Sequence, residues 1–277
     1  MRIGVTARPD MPEAITMAAD VAEFILERGG NAVLDDQFSA EAGWEGDSAP
    51  LDDMDIDVII TVGGDGTILR TAQHTTHPIF GINMGALGFL AEVQPGEWQE
   101  GVARLLRGEY TIETRAKLSA TVGGVPQPPV VNEAVIHTTQ ISKMRHFEVK
   151  VDSSDALRLR ADGLIIATPT GSTCYAMSVG SPIVDPKAKA FIIVPIAPFK
   201  LSARPFVVSS DSRIEVRLLD GKDALLVLDG QAEAEIAPDQ VVAFEMSDER
   251  ARFIRFDTDF YRRFRKKLMR LMTTEEV

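Results

Sequence analysis

The sequence predicts an α/β N-terminal domain followed by an all-β C-terminal domain. Strand and helix patterns alternate up to about residue 108, and alternation of this kind implies a parallel sheet covered by helices. Short β-rich runs separated by turn residues then extend from 110 to about 256, which is an all-β pattern. A final amphipathic stretch follows. We therefore place the domains at residues 1–113 and 114–256, with residues 257–277 as a terminal helix that packs on the first domain.

Each N-terminal element follows from its own pattern. The first helix has apolar residues at helical spacing from Ile15 to Ile25, and Gly29 and Gly30 can end it. The acidic stretch from 35 to 55, with its glycines and a proline, is interpreted as a surface loop. The predicted elements are strands at 2–7, 31–34, 58–62 and 79–83 and helices at 13–28, 68–73 and 96–106.

The C-terminal half is a series of short apolar runs, with one long amphipathic segment at its end. In that segment Phe260, Phe264, Leu268 and Leu271 recur at helical spacing, which predicts a helix over 259–272. A short helix is expected to begin at Tyr175. Examples of the predicted strands are 130–137, 147–151, 164–167, 191–196, 214–219, 225–228 and 241–245.

Composition excludes several classes of protein. Hydrophobic residues make up 45% of the 277 positions and charged residues 25%, which favours a folded chain with a sizeable core. The net charge of -12 argues against nucleic acid or an anionic membrane as partner. The single cysteine, Cys174, fits a reducing compartment. Because no signal peptide and no apolar run of about 20 residues occurs, we expect a cytoplasmic location.

The segment from Gly63 to Thr67, Gly-Gly-Asp-Gly-Thr, is the most informative part of the chain. It follows a buried strand and precedes a predicted helix, so glycines and unpaired backbone N–H groups can approach an anion closely. An acid such as Asp65 fits inside a phosphate cradle if a cation intervenes, or if the acid takes a proton from an attacking hydroxyl. The segment therefore indicates phosphoryl transfer. Arg70, one turn further along, can face the same phosphates.

A second polar segment runs from Asp162 to Tyr175. A buried strand ends here in a loop of small hydroxyl residues, Thr168 to Thr173, which can bind the sugar, base and phosphate of a nucleotide. Asp162 precedes that strand, and an ionised carboxylate there can accept hydrogen bonds from ribose hydroxyls.

Together these motifs closely resemble the NAD kinase family over nearly the whole chain. The resemblance depends on five segments. They are Gly63 to Thr67, Leu87 to Leu90, Asn132-Glu133, Asp162 to Tyr175 and Asp229-Gly230-Gln231.

The resemblance implies an enzyme that phosphorylates the 2′-hydroxyl of the adenosine ribose of NAD. ATP or polyphosphate would be the donor, with Mg²⁺ or another divalent metal ion. It also implies a Rossmann-like first domain, a β-sandwich-like second domain, a last helix returning to the first domain, and a homodimer or homotetramer.

Site residues are carried over from the family position by position. Asp65 becomes the catalytic base or the group that orients the hydroxyl, and no metal ligand is assigned among the side chains. The implied phosphate-binding residues are Gly63, Gly64, Gly66 and Thr67, with Arg70 added from its position. The implied NAD-binding residues are Asp65, Gly66, Phe89, Asn132, Glu133, Asp162, Thr173, Cys174, Tyr175 and Ser178. Cys174 stands where relatives often have alanine, and Gly230 where some have histidine.

Two other functions remain open at this stage. A lipid or sugar kinase can use a similar glycine segment, and a nucleotide sensor can keep the pocket without catalysis. The NAD kinase interpretation requires that the segments around positions 65 and 170 contact the same nucleotide.

Overall fold

The computed structural model describes residues 1–85, 88–140, 143–200, 202–257 and 259–265. The chain divides into two compact units. Unit 1 comprises Met1–Thr114 and Ala251–Val277, and unit 2 comprises Arg115–Arg250.

Unit 1 is built on a parallel sheet. Its strands are β1 (Arg2–Ala7), β2 (Asn31–Asp35), β3 (Ser48–Ala49), β4 (Val58–Gly63) and β5 (Ile79–Asn83), and its helices are α1 (Pro12–Glu27), α2 (Asp36–Ser39), α3 (Asp65–His74) and α4 (Trp98–Leu106). The strands lie in the order β3-β2-β1-β4-β5, so β4 is flanked on both sides. Every residue of β4 is buried, which explains its continuous apolar sequence.

Helix α1 covers part of this sheet. Its buried face includes Ile15, Val21 and Ile25, which join the same hydrophobic cluster as Val5 and Ile60 of the sheet. Apolar residues at helical spacing therefore form the core of unit 1.

Unit 2 consists mainly of antiparallel strands. Its elements, counting β6 and β17 that continue into unit 1, are β6 (Thr111–Val122), β7 (Val125–Pro126), β8 (Glu133–Thr138), β9 (Arg145–Val151), β10 (Ser154–Ala161), β11 (Gly163–Ala167), α5 (Tyr175–Ser178), β12 (Ala190–Ile196), β13 (Phe206–Ser209), β14 (Ile214–Leu218), β15 (Ala224–Leu228), β16 (Ala232–Ile236) and β17 (Val241–Arg255). One sheet has the order β13-β12-β11-β8-β15-β16, and a second contains β10-β9-β14-β17.

Side chains from both sheets of unit 2 form one core. Phe147 of β9 and Phe244 of β17 share a buried cluster with Ile166 of β11, Phe191 of β12 and Leu226 of β15. Two sheets that share their inner faces form a β-sandwich, so the fold class predicted from the sequence is confirmed.

Three details differ from the sequence-based expectations. The segment 35–55 is not simply a loop, because it contains α2, β3 and a 3₁₀ turn at Leu51–Asp53. Strands β10 and β16 were not among the predicted strands, since they alternate buried or half-buried residues with exposed polar ones and lack a continuous apolar run. The short strand β13, at the end of its sheet, was not among them either, although it contains Phe206, Val207 and Val208. Strand β17 extends ten residues beyond the predicted end at 245.

The last predicted helix is only partly described. Residues 260–265 are helical, whereas 258 and 266–272 of the predicted segment lie outside the described residues, as does Leu87 of the second motif. Among the helices that the structure describes, none has the length and apolar character needed to cross a membrane.

Candidate active site

The glycine-rich segment forms the junction between β4 and α3. Gly63 is the last residue of β4, Gly64 is the helix N-cap, and Asp65 is already the first residue of α3. The helix thus begins three residues before the predicted start at Ile68. The backbone N–H groups of Thr67 and Ile68 both donate to the Gly64 carbonyl. The N–H groups that precede them at the start of the helix have no acceptor within α3.

Close packing at this junction requires glycine. A Cβ on Gly63 would lie 2.2 Å from the hydroxyl of Thr67, which is itself buried. Gly64 and Gly66 are more accessible than Thr67. The first turn of α3 therefore offers backbone donors and the positive end of the helix dipole to an anion.

The Asp65 carboxylate binds backbone rather than another side chain. Its Oδ2 accepts the N–H of Phe89 at 2.6 Å, and its Oδ1 accepts those of Leu90 at 3.0 Å and Ala91 at 3.3 Å. A Cβ on Gly88 would lie 2.0 Å from Oδ1. Gly88 therefore lets the 88–91 segment approach the carboxylate, a function that sequence reasoning had not assigned to it.

Arg255 also contacts the same segment. Its Nη1 donates to the Leu90 carbonyl at 2.7 Å, and its guanidinium forms ion pairs with Glu92 at 3.3 Å and Glu113 at 2.8 Å. Arg263 joins the two carboxylates. Burial raises the pKa of Glu92 although both arginines and the Phe256 N–H oppose the shift.

Phe89 contacts the C-terminal helical segment. Its ring stacks on Phe264 with 6.3 Å between centroids, and Phe264 in turn stacks on Phe260 at 5.9 Å. The described part of the final helix therefore lies against the segment that binds Asp65.

Arg70 is engaged within unit 1. Its Nη1 donates to Gln37 at 3.0 Å and its Nη2 to the Thr6 hydroxyl at 3.3 Å, and the guanidinium lies 3.6 Å from the buried Asp35. Phosphate binding by Arg70 stays a prediction, and any phosphate would share the guanidinium with these partners.

In unit 2, three of the sequence motifs meet. We use the term corner for residues Val131 to Glu133, which lead into β8. The hydroxyl of Thr168 donates to the Val131 carbonyl at 2.6 Å, and the Thr168 N–H donates to the Asn132 carbonyl at 2.8 Å. A Cβ on Gly171 would lie 2.2 Å from the Asn132 carbonyl oxygen. The loop after β11 therefore packs directly on the corner.

Asp229 completes the corner, although sequence reasoning gave it no role. Its carboxylate accepts the N–H groups of Val131 at 2.7 Å, Asn132 at 2.8 Å and Glu133 at 3.0 Å. Asp229 follows β15, which pairs with β8 in antiparallel register. The usable signal was an Asp-Gly turn directly after an apolar strand, but the strand pairing that brings this turn to the corner cannot be seen in one sequence.

Two side-chain oxygens of the corner remain without partners. Oδ1 of Asn132 and Oε2 of Glu133 are buried and accept no hydrogen bond from the part of the chain that the structure describes. The Asn132 amide donates to Cys174 Sγ at 3.2 Å. Burial, followed by the charge of Asp229, raises the pKa of Glu133 to about 8. Unpaired buried oxygens of this kind are costly unless a ligand satisfies them.

The other predicted NAD-binding residues differ in exposure. Thr173 is buried and its hydroxyl donates to the Thr170 carbonyl at 3.2 Å. Tyr175 and Ser178 of α5 are exposed, and Asp162 is half-buried between β10 and β11. Asn132, Glu133, Thr173, Cys174 and Tyr175 therefore lie around one loop, whereas Asp162 lies at the far end of β11.

Comparison with protein families covers most of the chain. The model of the ATP-NAD kinase N-terminal domain matches residues 3–110, and that of the ATP-NAD kinase C-terminal domain matches residues 131–256. An NAD kinase of Methanothermobacter thermautotrophicus is 48% identical over 274 residues, covering 97% of this chain and 96% of that protein. An NAD kinase of Thermococcus kodakarensis is 40% identical over 274 residues, covering 97% of this chain and 99% of that protein.

Solved structures show the same similarity. An NAD kinase from Archaeoglobus fulgidus in complex with ATP superimposes with a TM-score of 0.80 at 30% identity, covering 97% of this chain and 99% of that chain. Yeast NADH kinase complexed with NADH has a TM-score of 0.89 at 20% identity, covering 100% and 89%, and it supports the fold alone. Both halves of the sequence match NAD kinase domains, and the fold matches that of a solved NAD kinase. The chain therefore belongs to the NAD kinase family.

Proposed function

We propose that this chain is an NAD kinase that transfers a phosphoryl group from ATP or polyphosphate to the 2′-hydroxyl of the adenosine ribose of NAD. Family membership supports this, as do relatives named NAD kinase at up to 48% identity. The observation that carries the proposal is the position of Asp65, a half-buried carboxylate in the first turn of α3 held by three backbone N–H groups.

Asp65 is the proposed catalytic base. An ionised carboxylate has about four lone-pair sites, and the N–H groups of Phe89, Leu90 and Ala91 take three of them. The remaining site, on Oδ2, is proposed to accept the 2′-hydroxyl proton as charge leaves the oxygen late in the transfer. Phosphoryl transfer needs positioning and charge neutralisation more than covalent chemistry. A carboxylate that is held at both oxygens can position the hydroxyl group.

The first turn of α3 is the proposed phosphate site. The backbone N–H groups of Gly64 and Gly66 suit phosphate oxygens, because no long side chain intervenes and the helix dipole favours negative charge. Thr67 is proposed to line the phosphates as well, although its own N–H donates to the Gly64 carbonyl. Arg70, one turn later, is the proposed side-chain cation. With a net charge of -12, positive potential for a polyphosphate has to be concentrated locally in this way.

Mg²⁺ fits as a partner of the donor phosphates. No group of three His, Cys, Asp or Glu side chains suited to a metal occurs among the described residues, and Mg²⁺ commonly uses one or two carboxylates together with phosphates and water. Because the one remaining site of Asp65 is assigned to the hydroxyl proton, no side chain is proposed as a direct ligand, and the donor phosphates and water would hold the ion. Bound with ATP in this way, the ion would neutralise charge on the transferred phosphoryl group.

Unit 2 is proposed to bind NAD. Asn132 and Glu133 present unpaired oxygens to its ribose and base, Thr173, Cys174 and Ser178 line the adenosine, and Tyr175 and Asp162 contact ribose hydroxyls and the nicotinamide half. Phe89 is proposed to lie against the adenine, as the family resemblance implies. We also propose that the protein is cytoplasmic. It is further proposed to assemble as a homodimer or homotetramer, and light scattering would measure the molar mass of the assembly.

A product assay tests the proposal. The protein is incubated with NAD, ATP and Mg²⁺, and NADP is detected with an NADP-specific dehydrogenase. Formation of NADP supports the kinase, whereas NAD binding without product supports a nucleotide sensor. Absence of both, with phosphorylation of a lipid or sugar, would overturn the proposal.

A further inference from the structure

The Asp229 carboxylate is a buried anchor for three consecutive backbone N–H groups. The N–H groups of Val131, Asn132 and Glu133 donate to it at 2.7 to 3.0 Å, and the Asp229 N–H donates back to the Glu133 carbonyl at 3.0 Å. Asp229 and Gly230 have φ of 50° and 65°, and the Gln231 N–H closes the turn on Leu228. This turn therefore fixes both the position and the orientation of the corner.

Asp229 also places a negative charge next to Glu133. Several charged and titratable groups surround Glu133 at the corner. They are Asp229 after β15, Lys117 on β6 with its ion-pair partner Glu249 on β17, Cys174 of the loop and Tyr175 of α5. Lys117 and three N–H donors favour the ionised form of Asp229. Among the described residues, only the Tyr175 backbone N–H favours the ionised form of Glu133, against the effects of burial and of the Asp229 charge.

The two carboxyl groups therefore differ in pKa, and Glu133 holds its proton to a higher pH than Asp229 does. Burial raises the pKa of both, to about 8 for Glu133 and to about 6 for Asp229. At neutral pH the proton belongs to Glu133. Its Oε2 has no hydrogen-bond partner among the described residues, and a Cβ on Gly171 would lie only 2.8 Å from that atom.

We propose that Asp229 is a positioning residue, which fixes the corner and keeps Glu133 a carboxylic acid, so that Glu133 Oε2 donates a hydrogen bond to a ribose oxygen of NAD. This inference rests on the proposed function for the identity of the ligand. A neutral Glu133 also suits a substrate that carries a diphosphate, because a second buried carboxylate charge would repel it.

Infrared difference spectroscopy of the free protein tests the protonation state without NAD. The wild type minus Glu133→Gln difference is expected to show a protonated-carboxyl C=O band at about pH 7 that disappears as pH rises through about 8. In Asp229→Asn the same band is expected to titrate at lower pH. The matched control is Asp152→Asn, since Asp152 has φ of 49° and caps Ser212 and Arg213 elsewhere in unit 2. It should leave the band unchanged.

NAD binding tests the donor role. For wild type the dissociation constant is expected to rise about tenfold between about pH 7 and pH 9.5, since the donated hydrogen bond is lost. Glu133→Gln, whose amide donates at every pH, should show no such rise and should bind NAD at least several-fold more tightly than Glu133→Ala.

These results separate the possible failures. An ionised Glu133 at about pH 7, or a pH-dependent rise that persists in Glu133→Gln, would overturn the inference even if NADP forms. The expected infrared titration in a protein that makes no NADP would leave the role of Asp229 intact and overturn the proposed function instead. Wild type and Glu133→Gln provide both readouts if Asp229→Asn does not fold.

Discussion

The Asp65 carboxylate binds three backbone N–H groups and is also the proposed catalytic base. Sequence reasoning could identify an acid in a phosphate-binding segment, because the motif is local. It could not identify the three N–H donors of Phe89, Leu90 and Ala91, which lie 24 to 26 positions further along the chain. Nor could it identify Gly88 as the residue that makes room for the carboxylate.

Replacement of Asp65 by asparagine should reduce turnover far more than NAD affinity. Loss of a general base commonly costs about 10²–10⁴-fold in rate, and the amide cannot accept the hydroxyl proton. Gly88→Ala keeps the carboxylate but displaces it, so its kcat should fall as well. Steady-state kinetics with NAD calorimetry would measure both variants, and near-normal kcat in Asp65→Asn would contradict the base assignment.

Glu133 should make the protein less stable as pH rises. Its folded-state pKa of about 8 lies above the ordinary 4.5, so the unfolded chain loses its proton first. The free energy of unfolding should therefore fall with pH between about 4.5 and 8, by up to about 1.4 kcal/mol per pH unit from this group. Asp229, with a pKa raised to about 6, adds to the fall at the lower end of the range.

Glu133→Gln should reduce this slope, and urea unfolding at a series of pH values would measure it. Glu235→Gln, at an exposed position on β16, serves as the control and should keep the wild-type slope. An identical slope in Glu133→Gln and wild type would contradict the assignment of a buried, protonated carboxyl.

At the scale of elements, the β4–α3 junction and the 88–92 segment depend on the end of β17. Arg255, at that end, is 1% exposed and joins Leu90, Glu92 and Glu113. Sequence reasoning ended β17 at 245, because the charged residues 248–250 interrupt its apolar pattern. It also began α3 too late, since glycine at two of the first positions hides a helix start.

Arg255→Met should destabilise the protein by about 3–5 kcal/mol, because the largely buried carboxylates of Glu92 and Glu113 lose their main cation. Chemical denaturation would measure the change. Arg213→Met is the matched control, since Arg213 pairs with Glu215 and Glu245 at an exposed position and should cost at most about 1 kcal/mol. Equal effects of the two substitutions would show that the buried ion pairs do not support this segment.

At the scale of the molecule, the sequence predicted two architectures because their periodicities differ. Continuous apolar strands between helices indicated the parallel sheet of unit 1, and short runs between turns indicated the sandwich of unit 2. Strands with an exposed face, such as β10, remained hidden because their charged residues alternate with leucines. The Asp229 contacts remained hidden for a related reason, since they depend on the pairing of β8 with β15.

The central claim is that this molecule transfers a phosphoryl group to the 2′-hydroxyl of NAD. Phosphorus NMR of the reaction of the wild-type protein with NAD, ATP and Mg²⁺ would follow this transfer directly. We predict a new phosphomonoester resonance coupled to the ribose H2′ proton, growing as the ATP γ-phosphate resonance declines. Conversion of ATP to ADP and inorganic phosphate without that resonance, or no reaction at all, would contradict the claim.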